Sequence, residues 1–80
     1  MDGTSPLYAG PVKRSMTIAG HTTSISLEPV FWRALEESAR AADLPLSALV
    51  ARIDAERIRE ADPPNLASAL RCWLLVRRGG

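Results

Sequence analysis

Residues 22–53 read TTSISLEPVFWRALEESARAADLPLSALVARI, and the hydrophobic period changes within them. The first six residues alternate strictly. Thr23, Ile25 and Leu27 share one face, and Thr22, Ser24 and Ser26 share the other. That two-residue period, in a run rich in β-branched side chains, is a strand. At Glu28-Pro29 the period lengthens. Proline fits the first turn of a helix because its missing N–H would have no partner there, and the Glu28 carboxylate suits the positive end of the helix dipole. Phe31, Leu35, Ala39 and Ala42 recur at helical spacing with Trp32 beside them, while Glu36, Glu37 and Arg40 lie largely opposite. This predicts a helix over residues 29–42. Leu44 precedes Pro45 and is thereby pushed out of the helical region, so the helix stops near Asp43. A second helix is expected over residues 46–60, with Leu46, Leu49, Val50, Ile53, Arg57 and Ile58 along its inner stripe. Within it Arg52 can pair with Glu56, and Asp54 with Arg57.

Before this stretch, residues 13–18 (KRSMTI) alternate weakly and read as a strand, with Met16 and Ile18 facing one way and Ser15 and Thr17 the other. Gly20 then marks a turn, because glycine tolerates positive φ. Residues 1–12 hold Gly3, Pro6, Gly10 and Pro11 among small and polar side chains and are expected to form a flexible arm. After the second helix, Asp62-Pro63-Pro64 is a firm stop. Asn65 is a good N-cap for a third helix over residues 65–77, which carries Leu66, Ala69, Leu70, Trp73, Leu74 and Arg77. Leu75 and Val76 extend its apolar surface past one stripe. The expected fold is α+β and mostly helical: two strands and three helices in one domain over residues 13–78. A strand of six residues must pair with something. It can pair with residues 13–18 as a hairpin, with the same strand of another subunit, or with both.

The chain has 80 residues, 46% hydrophobic and 24% charged, with a net charge of +1. Such a length allows one small domain. The apolar share, with so little net charge, excludes a wholly disordered chain. Apolar runs of a few residues exclude a transmembrane helix. The start MDGTSPLYAG has no basic segment followed by an apolar one, so no secretory signal and a cytoplasmic location are expected. One cysteine, Cys72, supplies neither an internal disulfide nor a zinc cluster. His21 has no ligand cluster around it and reads as a turn residue or phosphate contact, not a metal ligand. Cys72 reads as a small, partly buried residue, and Trp32 and Trp73 as packing anchors. With no Gly-rich phosphate loop, nucleophile elbow or carboxylate pair, neither an enzyme nor a cofactor is expected. A chain this short builds a marginal core alone. Without a disulfide or a metal, self-association is the remaining staple.

The run TTSISLEPVFWRALEESARAADLPLSALVARI resembles the ribbon–helix–helix family of DNA-binding proteins. The flanking KRSMTIAGHTTSISLEP and NLASALRCWLL look like a bacterial subgroup with an extra segment before the ribbon and an extra helix after the core. The resemblance implies an intertwined homodimer, in which ribbons from two chains pair antiparallel. Ile25, Leu27, Phe31, Leu35, Leu49, Val50 and Ile53 would form the dimer core. It also implies a transcriptional regulator of double-stranded DNA, with Thr22, Ser24 and Ser26 facing bases in the major groove. Phosphate contacts would come from Lys13, Arg14 and the start of the second helix at Leu46, Ser47 and Ala48, through backbone N–H groups and the helix dipole. An antitoxin that represses its own operon is a weaker reading. Such proteins usually follow the ribbon domain with a toxin-binding tail, and here the tail is one short helix.

Three features depart from the family pattern. The reading residues are hydroxyls, which lack the bidentate geometry of Arg on guanine or Asn/Gln on adenine, worth about 1–3 kcal/mol each. Pro45 stands where many relatives have a Ser or Thr cap, and Leu46 where they often have a polar residue. Residues 13–18, paired beside the ribbon, would broaden it to four strands, and a major groove about 12 Å wide admits two. An open ribbon favours DNA. A closed four-stranded sheet favours a protein-interaction or assembly module that keeps the dimer fold, with a possible tetramer through Leu70, Trp73 and Leu74. The low net charge gives little overall pull on phosphate. Its distribution is more favourable: Lys13, Arg14 and His21 stand against only Asp2 before residue 28, and Arg71, Arg77 and Arg78 cluster near the end.

Overall fold

The computed structural model describes residues 8–79, with side chains through Arg77. Two strands precede three helices: β1 (Val12–Ile18), β2 (His21–Leu27), α1 (Pro29–Ala41), α2 (Leu46–Arg57) and α3 (Leu66–Gly79). Residues 1–7 of the expected arm lie outside the described residues, and Val12 already belongs to β1.

Of the pairings left open above, the hairpin within one chain is formed. β1 and β2 run antiparallel in full register, from Val12 opposite Leu27 to Ile18 opposite His21. Only Ala19 and Gly20 connect them, with φ of 51° and 85°. Two positive φ angles are what a two-residue turn needs to match the right-handed twist of its strands. Gly20 adopts this freely; Ala19 carries a Cβ there at a cost of about 1–2 kcal/mol.

The helices cover one face of the hairpin. Ile18, Ile25 and Leu27 are buried on it, and Met16 packs against them. Trp32 in α1 is buried too, and its indole Nε1 donates to the Val12 carbonyl at 2.9 Å. That bond fastens the open end of the hairpin to α1. Helix α1 closes with the Leu44 N–H on the Ala39 carbonyl at 2.9 Å and the Asp43 N–H on the Arg40 carbonyl at 3.0 Å. This is the Schellman pattern, and Asp43 occupies its left-handed position at φ 58°, where glycine is usual. Half-buried Leu44 then packs on the core.

Helix α2 ends three residues before the expected boundary. Arg57 turns back, its Nε donating to Asp54 Oδ1 at 2.8 Å and a terminal N–H to the Pro64 carbonyl at 3.0 Å. Ile58 therefore leaves the inner stripe and is 59% exposed. The Asp54–Arg57 pair forms, whereas no ion pair joins Arg52 to Glu56 among the described residues. Helix α3 opens on the Asn65 side chain, whose Oδ1 accepts from the Ser68 N–H at 2.8 Å.

One core joins all five elements: Ile18, Ile25, Leu27, Trp32, Leu35, Ala39, Leu49, Val50, Ile53, Leu70 and Leu74. Two expectations change with it. The residues assigned to a dimer core, half-buried Phe31 excepted, are closed over within a single chain, because β1 and α3 supply the cover. Leu70 and Leu74, assigned to a higher-oligomer contact, are 0% and 3% exposed inside their own chain. They face inward with the α2 stripe and are unavailable to another copy, and Trp73 beside them is half-buried. Cys72, expected to be partly buried, is exposed. No described helix is long and apolar enough to cross a membrane.

Candidate nucleic-acid interface

The hairpin face turned away from the helices follows from the strand period. β1 contributes Lys13, Ser15 and Thr17, and β2 contributes Thr22, Ser24 and Ser26. Register sets these six side chains in three cross-strand pairs: Lys13 with Ser26, Ser15 with Ser24 and Thr17 with Thr22. All are exposed, and the Ser15 and Ser24 hydroxyls lie 3.2 Å apart. The face thus carries five hydroxyls, one ammonium and no carboxylate. It can donate and accept hydrogen bonds without repelling an anion. His21, at the turn, is exposed, but the register pairs it with Ile18, on the side of the hairpin that faces the helices.

Ser15 and Thr17 were not singled out from sequence as site residues. The alternation of residues 13–18 was the available signal. It becomes decisive only once the two-residue turn fixes which β1 residue stands opposite each β2 residue.

Lys13 and Arg14, assigned together to phosphate, are parted by the pleat. Arg14 points to the helical side. Its guanidinium lies 4.7 Å from the Trp32 ring centroid and 3.2 Å from Glu36 Oε2. Both partners of the ion pair are more than a third exposed, so the pair is worth little on its own. With the ring contact and the Trp32–Val12 bond it commits Arg14 to holding the hairpin on α1, away from the outward face.

Leu46, Ser47 and Ala48 stand at the start of α2, in the helical layer, and all three are half-buried. Pro45 is the N-cap, with no side-chain cap bond, and no acidic residue lies in the first turn. The Ala48 and Leu49 N–H groups reach the Pro45 carbonyl at 3.0 and 3.2 Å. The N–H groups of Leu46 and Ser47 have no carbonyl ahead of them in the helix and stay available to an anion. The adjoining depression, about 610 Å³, brings Glu36, Arg40 and Asp43 close to Leu46. Two carboxylates against one guanidinium make this helix start a weaker phosphate site than a bare N-terminus. The Arg71–Arg77 cluster is also broken up: Arg71 binds Glu28 at 3.4 Å, and Arg77 lies 4.7 Å over the Trp73 ring.

Among the described residues no group of His, Cys, Asp and Glu is placed to hold a metal ion. Comparison with curated proteins and with solved structures returned no match. A family model, the ribbon-helix-helix domain, matches residues 11–77 and so takes in the hairpin and all three helices except the last two residues of α3. The family is one of DNA-binding regulators that generally act as dimers, not of enzymes. Two strands in antiparallel register, followed by three helices over one core, have the order and extent of that match: the chain belongs to the ribbon–helix–helix family.

Proposed function

We propose that this chain is a DNA-binding transcriptional regulator that works as a homodimer and presents the outward face of its hairpin to the major groove. The observation that carries the reading is that face: hydroxyls and one lysine, no carboxylate, shared between β1 and β2, the strand that corresponds to the ribbon. One edge of β2 is taken by β1 along seven residues. Its other edge remains for the partner's β2, which makes a four-stranded sheet in the order β1, β2, partner β2, partner β1.

Width then assigns the roles. Strands lie about 4.8 Å apart, so each β2 sits about 2.4 Å from the two-fold axis and each β1 about 7 Å from it. A major groove about 12 Å wide extends about 6 Å to either side. The β2 pair therefore faces the groove floor with Thr22, Ser24 and Ser26. The β1 strands straddle the walls, where Lys13 meets phosphate. Hydroxyl readout without bidentate contacts makes sequence preference low.

The test is fluorescence anisotropy with duplex DNA over a salt series. Binding at low salt should weaken steeply as salt rises, and Lys13→Gln should lower the salt slope by about 2, one phosphate per protomer. A dimer that stays intact yet binds no duplex at low salt would sink the reading.

One observation favours a second reading. The closed hairpin is the arrangement expected of an assembly module that keeps the family fold without entering DNA. On that reading the salt series is flat, and Lys13→Gln changes nothing.

A further inference from the structure

Leu70 and Leu74 turn one side of α3 into the core of its own chain. Helical spacing then puts Ser68, Ala69, Cys72, Leu75 and Val76 on the opposite side, and none of them is charged. Leu75 and Val76 are 73% and 71% exposed, and Cys72 is exposed. A surface helix ordinarily carries its charges outward. Here Arg71 and Arg77 lie along the flanks instead, Arg71 by Glu28 and the Phe31 ring and Arg77 over Trp73. A helix apolar on both sides is built to be covered.

The flanks say by what. A cleft of about 510 Å³ runs between α2 and α3, with Ile53, Ala69, Trp73 and Val76 in its wall. Its rim holds Glu56, Arg57 and Glu60 along α2 and the turn after it, and Arg77 on the α3 side. The Arg57 charge is already taken up by Asp54 and the Pro64 carbonyl, which leaves the two glutamates facing Arg77. Neither glutamate makes an ion pair among the described residues. A two-fold rotation sets carboxylates of one copy against Arg77 of the other, so the rim complements itself. A partner of single charge sign would meet a like charge on one side. Ser68, Ala69 and Cys72 are small enough to let two helix backbones approach. We propose that α3 packs antiparallel on α3 of a second copy of this chain, with Cys72 near the two-fold axis and Val76 seated in the partner's cleft. Helix α3 is 14 residues, about 21 Å long. So short a contact falls below a standard interface of about 800 Å² per partner, and the association should be concentration-dependent.

The contact is separate from the ribbon pairing and from DNA binding. Sedimentation equilibrium tests it against Val76→Glu and Leu75→Glu, whose exposed positions leave the fold intact by circular dichroism. The wild type should exceed either variant in mass as concentration rises. A monomer becomes a dimer, and a ribbon dimer, which carries two α3 faces, a tetramer or larger, so failure of the DNA reading leaves this test standing. Copper–phenanthroline gives a second readout. It joins two Cys72 thiols as a disulfide, copper and dioxygen taking the two electrons and water the two protons. Cys72 is the chain's one cysteine, so the covalent dimer reports only this pairing. Wild type should crosslink under conditions where Val76→Glu does not. Equal masses, or equal crosslinking, overturns the proposal.

Discussion

Leu70→Ala separates a core residue from a contact residue. Leu70 is fully buried within one chain, in a cluster that also holds Ile53 and Leu74. Truncating a buried leucine removes its transfer free energy and leaves a cavity, which together cost about 3–5 kcal/mol where the surroundings relax little. A chain of this length has about 4–12 kcal/mol of stability in total, so the variant loses a large share of it. With a urea dependence of about 1 kcal/mol per molar, at the low end for small proteins, the midpoint falls by about 3–5 M. Equilibrium urea unfolding followed by circular dichroism reads this directly. Both proteins must be held at the same dilute concentration, because self-association adds stability by mass action. Leu75→Ala is the comparison: at 73% exposure it should stay within about 0.5 kcal/mol of the wild type. If Leu70→Ala kept its midpoint and instead lost oligomer mass, the inward packing of α3 would be wrong.

The two left-handed residues offer stabilising changes. Ala19→Asn gives the Asn-Gly pair that a two-residue turn favours and should raise the melting temperature by several degrees, about 1 kcal/mol for a domain this small. Asp43→Gly relieves the left-handed position of the Schellman turn and should gain a similar amount in urea unfolding; a loss would mean the aspartate has a partner of its own. Trp32→Phe keeps an aromatic ring but deletes the bond to the Val12 carbonyl and part of the buried indole, so about 2 kcal/mol should go, with amide exchange in β1 accelerating first. Lys13→Gln and Arg14→Gln remove the same charge from opposite faces of β1. Only the first should change the salt slope of DNA binding, and equal slopes would refute the assignment of faces.

Much of the fold was legible because local chemistry and global structure agree. The change of period at Glu28-Pro29, the stop at Pro45 and the Asn65 cap are local signals, and each marks an element end in the structure. The outward trio Thr22, Ser24 and Ser26 needed only the strand period, and the structure leaves all three exposed. The early end of α2 was not legible, because it depends on Arg57 reaching Pro64 seven residues on. The parting of Arg14 from Lys13 was not legible for a related reason. Composition counts it with Lys13, but adjacent strand residues face opposite ways, and Trp32 and Glu36 reach it only across the packed sheet.

By itself the sequence determined five elements, their order and the polarity of each strand face, since these follow from spacing along the chain. Only the tertiary structure decided which edge of β2 is occupied, which side of α3 is core, and that the residues expected between two chains are already covered within one. Periodicity fixes which side chains share a face; which neighbour that face meets is settled by contacts between residues far apart in the chain. In this protein β1 and α3 supply those contacts, closing the core of a single chain and leaving one edge of β2 and the uncharged face of α3 open to a partner.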